Sequence, residues 1–334
     1  MKPVVDLLLP GLFDRLSDWD SSYAEKPEAS GLSSVLKVAS RKEQAETGFE
    51  RCLWALLSPD GSSGMELPVG RLLSSLQDKV VCCADPVHLR PGISDLVLIE
   101  GGQLSLEADE GRLLEVLIDE HVRPIGGRFY WREGAGYLTF SEAPSLRSTP
   151  LSEAAGEGVN GCLPEGAGQR WWGRLANELQ MLLFNSEINQ LRESRGKLPV
   201  NSLWLWGGGE LPSSPLPRRY DCAVTHGNAF AAAMVDAVDI PQLAHVRAGL
   251  DQGCQRLLDV YPGLLNAARY DDYAAWRTCL SHFDQQYLPR LMEALYRGDI
   301  SRLRLISGPW QFDTTRSGRY RFWRRSRPLV AYGQ

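Results

Sequence analysis

The stretch that decides the fold is Phe184–Gly209, FNSEINQLRESRGKLPVNSLWLWGGG. Its centre, Ser202–Trp206, is short, apolar and aromatic, which is typical of a strand covered on both faces. Gly207, Gly208 and Gly209 follow directly. In an open α/β sheet, ligands bind beyond the carboxyl ends of strands, and glycines there let backbone amides approach an anion. The stretch predicts a ligand-facing sheet edge; the alternative is a buried strand that ends in a flexible turn.

Length and composition define the class of protein. The 334 residues suffice for one large or two ordinary domains, and 43% hydrophobic and 23% charged residues are ordinary globular values. The net charge of −5 argues against a general nucleic-acid binder. No apolar run reaches the roughly 20 residues of a membrane span. We therefore expect a cytoplasmic globular protein without a membrane segment.

The cysteines and the first residues agree with that compartment. The seven cysteines are an odd number without a C-x-x-C pair, which disfavours a zinc ribbon or a thioredoxin-like motif. They are typical of reduced core thiols. The opening MKPVVDLLLPGLFD has a short apolar run that is broken at Pro10–Gly11, with no small-residue cleavage site. A first strand is expected there rather than a signal peptide.

Hydrophobic periodicity predicts how the chain is divided. Strands alternate with helices, which indicates an α/β fold with a mostly parallel sheet flanked by helices. Residues 85–145 alternate short strands with one helix and predict a small inserted α+β unit. Residues 146–160 lie in a stretch rich in Ser, Pro, Gly and Glu, which is typical of a linker. Residues 1–84 and 161–334 would form the α/β core.

Two of the five histidines lie just beyond predicted strands. Asp85, His88 and Arg90 end one strand, where Arg90 would bind a phosphate or carboxylate and His88 would titrate near neutrality. His226 follows the predicted strand 222–225 in a similar way. The alternatives are a structural Asp–Arg turn at the first place and a helix cap by Thr225 or Asn228 at the second. No G-x-S-x-G elbow, Walker loop, G-x-G-x-x-G run or kinase signature is present.

The tail at 316–327, RSGRYRFWRRSR, alternates basic and aromatic residues. As an edge strand it would place Tyr320, Phe322 and Arg324 on one face. The favoured interpretation is an edge strand whose solvated arginines block edge pairing. An anion or nucleic-acid surface is the alternative.

Taken in order, these segments resemble the archaeal-type cofactor-independent phosphoglycerate mutases of the alkaline phosphatase superfamily. The specific part is the run from Ile188 to Gly209, which is similar to the family's N-x-x-R-x-x-x-G-x-x-x-A-N-x-x-x-x-x-G-x-G pattern. The turn at Asp85–Arg90 and the segment Tyr270–Gly308 resemble the family less specifically. The resemblance implies an alkaline-phosphatase-like sheet. The anion pocket expected on this basis consists of Asp85, His88, Arg90, Arg192, Asn201, Gly207, Gly208 and Gly209.

The sequence departs from that family at the metal ligands. The family's chemistry needs two divalent ions, held by Asp and His, and a Ser or Thr nucleophile. The Asp-Gly-x-Gly-Asp motif is reduced to one acid in Pro10–Asp14, and the Asp-x-x-Gly-His turn lacks its histidine in Asp271–Trp276. The last Asp-His pair is replaced in Ser307–Trp310, where proline and tryptophan cannot ligate a hard cation. These losses predict a metal-free site.

A narrower resemblance fits the chain better. Bacterial regulatory proteins of the Rpf-cluster E type share LLLPGL at 7–12, ADPVHLR at 84–90 and NSLWLWGGG at 201–209. Such proteins are labelled regulatory or phosphoglycerate-mutase-like, and the label implies no reaction.

The sequence therefore predicts a cytoplasmic regulatory protein without cofactor that binds a small anionic metabolite or a protein partner. The alternative is an active metal-dependent 2,3-bisphosphoglycerate-independent phosphoglycerate mutase or phosphatase with a rearranged site and two divalent ions such as Mn²⁺. The nucleophile stays unassigned, because nothing selects among the serines near residue 30. The candidate metal ligands of the alternative are Asp14, Asp271, Asp272 and His226.

Overall fold

The chain divides into two compact units. Unit 1 contains Met1–Ser63 and Ser214–Gln334, and unit 2 contains Gly64–Ser213. The computed structural model describes residues 2–58, 66–78, 80–92, 95–99, 104–142, 145–211, 216–321 and 323–334.

Unit 1 is a six-stranded sheet with helices. Its strands are β1 (Val4–Leu8), β2 (Ser40–Glu43), β8 (Cys222–Val224), β9 (Arg256–Val260), β10 (Arg302–Ser307) and β11 (Trp310–Thr315). Its helices are α1 (Leu16–Ser22), α2 (Ser30–Val38), α3 (Phe49–Leu57), α9 (Ala229–Asp236), α10 (Val246–Asp251), α11 (Leu265–Arg269), α12 (Tyr273–His282) and α13 (Leu288–Arg297). A π-helical turn, Phe283–Tyr287, joins α12 to α13.

The strand order in unit 1 is β2-β11-β10-β1-β9-β8. The four strands from β10 to β8 are parallel, as the alternation of strands and helices predicts, and β11 and β2 extend the sheet antiparallel. Leu8 lies opposite both Val260 and Ile306, so β1, β9 and β10 end at the same level. Their carboxyl ends form one edge, at which side chains from distant parts of the chain can meet.

Unit 2 is built on an antiparallel sheet. Its strands are β3 (Val80–Pro91), β4 (Leu96–Ile99), β5 (Arg128–Arg132), β6 (Ala135–Phe140) and β7 (Ser202–Trp206). Its helices are α4 (Val69–Ser74), α5 (Ala108–Val122), α6 (Leu151–Ala154), α7 (Gln169–Phe184) and α8 (Glu187–Ser194). The order is β4-β3-β6-β5, and β7 also pairs with β3.

The predicted strand at 202–206 is confirmed as the fully buried β7, but its sheet is different from the one expected. It runs antiparallel to β3, with Trp206 opposite Cys83 and Ser202 opposite Val87. Because β7 pairs within unit 2, this unit extends over 64–213 instead of 85–145.

Two further sequence expectations differ from the structure. The stretch 146–160 contains α6 and bridges to β4 at Ala155 and Gly158, so it is tied to the sheet of unit 2. The tail does not form an edge strand, because Arg316–Tyr320 is a 3-10 helix and the exposed, charged β2 forms the edge. Phe322 lies outside the described residues.

The turn that lacks the family's histidine contributes to the core of unit 1. Trp276 is fully buried, and its Nε1 donates to the carbonyl oxygen of Gly11 at 2.7 Å. Its ring packs against Trp19 at 5.0 Å between centroids. The Trp276 indole fills the interior beneath the loop that follows β1, and it offers no atom that could bind a metal ion.

None of the described helices could span a membrane. The longest of them, α7, has 16 residues, and none combines the length and apolar character that crossing a bilayer requires.

Candidate functional site

A histidine cluster of His226, Asp259 and Tyr287 occupies the carboxyl edge of the unit 1 sheet. Asp259, near the end of β9, is fully buried. Its Oδ1 lies 2.9 Å from Nε2 of His226, and its Oδ2 accepts the Tyr287 hydroxyl at 2.7 Å. The Tyr287 oxygen also lies 3.1 Å from the same histidine nitrogen. A buried carboxylate with two such partners holds the imidazole in one orientation.

Local backbone geometry places this cluster. His226 has φ of +49° and is followed by Gly227 at +74°, so the chain turns sharply after β8. Tyr287 is the last residue of the π-helical turn, directly before a helix with proline in its first turn. Single π-turns inside helices occur often at functional sites, and left-handed histidines are uncommon. The predicted helix cap after His226 is also confirmed, because Asn228 accepts from Ala231 N at 2.8 Å.

The phenols around His226 stay protonated. Burial and the neighbouring Asp259 carboxylate raise the pKa of Tyr287 far above its usual value of 10.0. Burial, with Cys279 and Asp259, also raises the pKa of Tyr261, whose ring meets the imidazole edge-on at 5.1 Å. The His226 side chain is 23% exposed. Tyr287 therefore remains a hydrogen-bond donor to Asp259, beside an imidazole that reaches solvent.

The four alternative metal ligands do not converge. Asp271 accepts from Trp19 Nε1 at 2.5 Å, and Asp272 caps α12 by accepting from Ala275 N at 2.9 Å. His226 is bonded within the histidine cluster. In the part of the chain that the structure describes, no three Asp, Glu, His or Cys side chains are grouped as a metal would require. These residues do not fit the two-metal centre.

Asp14, the one retained acid of the first-strand motif, has a perturbed titration. Crowding by protein atoms raises its pKa above 3.8, although Arg269 opposes this, and the side chain still reaches solvent. NH2 of Arg269 itself lies 3.5 Å from Oε1 of the buried Glu50. A carboxylate with a raised pKa in the loop after a strand is a feature that active and binding sites share.

The predicted anion-binding glycine loop, Gly207–Gly209, holds an anion that belongs to the chain. Oε1 of Glu66 accepts from the amides of Gly207 at 2.7 Å and Gly208 at 3.3 Å. Its Oε2 accepts from the amide of Ser148 at 2.6 Å, and the Ser148 hydroxyl also bonds the carboxylate. The amides of Gly207 and Gly208 are therefore engaged by a side chain of the same unit, and the amide of Gly209 donates to the Leu67 carbonyl oxygen at 2.9 Å.

Close backbone approach explains why this loop is glycine. A Cβ on Gly209 would lie 2.2 Å from the Glu66 carbonyl oxygen, and one on Gly208 would lie 2.4 Å from Cys82 Sγ. Gly207 has φ of +69°, which L side chains rarely adopt. Glycine is required by packing inside unit 2, independently of any ligand.

The other predicted pocket residues also have partners within unit 2. Asp85 accepts from Trp206 Nε1 at 2.6 Å, and His88 Nδ1 lies 2.9 Å from the Pro199 carbonyl oxygen. The Asn201 side chain bonds both the amide and the carbonyl of Leu89, at 2.7 and 2.9 Å. Arg90 is exposed.

Arg192 is fully buried and serves the interior of unit 2. Its NH1 donates to Glu110 Oε2 at 2.7 Å, and NH2 and Nε donate to the carbonyl oxygens of Leu104 and Leu198, each at 2.7 Å. Glu110 also closes the capping box of α5 with Glu107. This guanidinium joins two helices and a loop and has no surface toward solvent.

Comparison with known proteins points in the same direction as the sequence resemblance. A 2,3-bisphosphoglycerate-independent phosphoglycerate mutase of Methanosarcina acetivorans is 28% identical over 205 residues, 57% of this chain and 49% of that protein. The second such mutase of Methanothermobacter thermautotrophicus is 34% identical over 155 residues, 43% of this chain and 35% of that protein. A probable one of Geobacter sulfurreducens is 28% identical over 198 residues, 54% of this chain and 46% of that protein.

The chain is related to phosphoglycerate mutases. It matches about half the length of the Methanosarcina and Geobacter mutases and 35% of the Methanothermobacter one. No family model matches it. Among solved structures, the PH0037 protein of Pyrococcus horikoshii is similar with a TM-score of 0.50 and 10% identity, over 94% of this chain and 87% of that one. A cofactor-independent phosphoglycerate mutase of Thermoplasma acidophilum gives a TM-score of 0.42 and 14% identity, over 94% and 90%.

The mutase relationship supports the broad part of the sequence prediction. The predicted α/β class is confirmed as a mixed α/β fold with a central sheet flanked by helices. The sequence pointed to His226 but missed Asp259 and Tyr287. An acid inside the apolar strand LLDV was an available signal, because an unpaired buried carboxylate is costly. Glu66 carried no comparable signal.

Proposed function

We propose that this chain is a phosphoglycerate-mutase-like regulatory protein of the Rpf-cluster E type. It acts in the cytoplasm by binding a small anionic metabolite or a protein partner, without two-metal catalysis and without nucleic acid or membrane. The observation that carries the proposal is the engagement of Asp271, Asp272 and His226 in three separate sets of hydrogen bonds. Among the described residues, no three Asp, Glu, His or Cys side chains are grouped so that they could hold a metal ion.

The interior of unit 1 supports the same proposal. Trp276 packs in the core where the mutase pattern has a histidine, and Pro309 and Trp310 stand where it has an Asp-His pair. The buried Ser307 hydroxyl at the end of β10 has no hydrogen-bond partner among the described residues. The edge keeps polar groups, among them the partly exposed imidazole of His226, which suit recognition of a ligand.

Metal analysis combined with a turnover assay tests this proposal. The protein is purified after growth with added Mn²⁺, its metal content is measured, and phosphoglycerate mutase activity is assayed with and without Mn²⁺. We expect substoichiometric metal and no turnover, with the Methanosarcina acetivorans mutase as positive control. Stoichiometric metal with turnover that Asp14→Ala abolishes would establish the rearranged-site mutase instead.

Calorimetry with 2- and 3-phosphoglycerate tests the predicted pocket of unit 2. Arg90 is its exposed cation, so Arg90→Ala is the informative variant, whereas Arg192 contacts only the interior. Because the glycine loop already holds Glu66, we expect no binding that depends on Arg90. Tight binding that Arg90→Ala removes would restore this pocket as the ligand site.

A further inference from the structure

A concave surface of unit 1, apart from the histidine cluster, is lined by five cationic side chains. Its volume is about 510 Å³, and the residues around it come from the end of α2, the start of β2 and the segment before the C-terminal 3-10 turn Leu329–Tyr332. We call this surface the basic groove. Its cations are Lys37, Arg41, Arg324, Arg325 and Arg327.

The described residues that line the basic groove carry an excess of positive charge. Among the described residues that line it, none is an aspartate or a glutamate. The whole chain carries a net charge of −5, so the cations are concentrated here against the overall balance. Like charges in a concave surface with low-dielectric walls focus the field and raise the local concentration of anions.

Two of the arginines are fixed by the fold. The Arg41 guanidinium stacks on the Trp310 ring at 4.1 Å and donates to the Gln334 carbonyl oxygen at 3.0 Å. Arg324 donates to the Ala39 carbonyl oxygen at 2.6 Å, just beyond the C-terminus of α2. These contacts reduce the conformational entropy that the side chains would lose on binding a ligand.

Within the described part of the chain, the remaining three cations have no partner that competes with a ligand. The side chains of Lys37, Arg325 and Arg327 form no hydrogen bond or ion pair with any residue that the structure describes, and both arginines are exposed. The backbone amide of Arg327 bonds the Tyr332 hydroxyl, which ties this segment to the groove. Fixed and uncommitted donors therefore face the same space.

Another groove of unit 1, between α10 and α13, shows that arginines in a groove can be paired with acids of the same chain. It has a similar volume, about 460 Å³. There, Arg247 pairs with Asp251 at 2.9 Å and with Asp299 at 3.0 Å, and Arg297 pairs with Glu293 at 2.7 Å. Two of the three arginines that line this groove are paired with acids of the chain, whereas none of the cations of the basic groove is paired with a described acidic side chain.

We propose that the basic groove binds a small polyanion with at least two phosphate groups. The volume is that of a small-molecule site, and guanidinium groups match phosphate oxygens in pairs. Five positive charges exceed what one phosphate can neutralise. The proposal rests on the proposed function, which it deepens by naming the ligand class and the place where it binds.

Calorimetry with inorganic tripolyphosphate at low salt tests the groove. The variant Arg325→Gln with Arg327→Gln is compared with the wild-type chain and with a control of equal charge change, Arg170→Gln with Arg174→Gln, two exposed arginines of α7. We expect the groove variant to weaken binding about tenfold or more, since charge-assisted hydrogen bonds are lost, and the control to bind as the wild type does. Orthophosphate should bind much more weakly than tripolyphosphate.

Other outcomes would overturn the proposal. Equal binding by wild type and groove variant, or equal weakening in both variants, would mean that no specific site exists. Tighter binding of single-stranded dT12 than of tripolyphosphate, with a salt slope of about one log unit per phosphate neutralised, would make this a nucleic-acid surface. Metal-dependent turnover would overturn the proposed function but not the groove. If the protein shows neither turnover nor polyanion binding, the groove proposal is wrong, and the regulatory proposal then requires a protein partner.

Discussion

The glycine loop of unit 2 presents backbone amides to an anion, whereas the basic groove of unit 1 presents guanidinium groups. In the loop, the chain supplies the anion itself, since Glu66 lies 2.7 Å from the Gly207 amide. In the groove, no acid is among the described lining residues, and Arg325 and Arg327 are uncommitted. Anion-binding chemistry in a sequence therefore indicates a ligand only where the folded chain leaves that chemistry unpaired.

The largest effect is expected for the internally paired charges of unit 2. Arg192→Met leaves the buried Glu110 carboxylate without its main partner, which should lower the free energy of unfolding by about 3–5 kcal/mol. Urea unfolding measures this. Arg195→Met is the control, because Arg195 is 46% exposed and lies 3.6 Å from Glu107, so its loss should cost less than about 1 kcal/mol. Equal losses in both variants would contradict the assigned burial of charge.

A smaller effect is expected when the internal anion of the glycine loop is removed. Glu66→Ala leaves the amide of Ser148 unpaired and leaves the amide of Gly207 only the Ser148 hydroxyl oxygen, at 3.1 Å, so it should lower the free energy of unfolding by about 1–3 kcal/mol. Sulfate should restore part of this stability in the variant and not in the wild-type chain, because the vacated amides can accept an external anion. Thermal unfolding with and without sulfate measures it. Glu165→Ala, at an exposed glutamate, should show neither effect.

Asp14 provides the corresponding test for an acid of unit 1. Crowding raises its pKa above 3.8 despite Arg269, so the folded protein holds this proton more tightly than the unfolded chain. Stability is then lost as pH rises from 3.8 through the folded-state pKa. Asp14→Asn should stabilise the protein at pH 7, by less than about 1 kcal/mol because solvent reaches the group. Thermal unfolding should show that the difference in stability between Asp14→Asn and the wild type disappears in acid. A variant that is less stable than the wild type at neutral pH would contradict the raised pKa of Asp14.

The smallest effect on stability is expected in the basic groove itself. Arg325→Gln with Arg327→Gln should change the free energy of unfolding by no more than about 0.5 kcal/mol, because neither side chain has a described partner. Any change should be a gain that shrinks as salt screens the repulsion between cations. Thermal unfolding at low and high salt measures it. A loss comparable to that of Glu66→Ala would show that these arginines are structural.

Local features of the site were predictable to different degrees. The cap at Asn228 and the strand Ser202–Trp206 follow from residue type and periodicity over a few positions. The partner of Arg192 does not, because Glu110 is 82 residues away and meets it only when α5 and α8 pack. The 3-10 turn in the tail is not predictable in this way, because alternation over a short basic segment fits an edge strand and an irregular segment equally well.

The sequence by itself determined the α/β class, the short buried strands and the absence of ligand residues at Pro309 and Trp310, because these depend on residue identity and local periodicity. Only the tertiary structure decided which charges are neutralised. Glu66 reaches the Gly207 amide across 141 positions, and the cations of the basic groove come from opposite ends of the chain. Electrostatic pairing depends on distances in space, and those are set by long-range sheet pairing that no local pattern encodes.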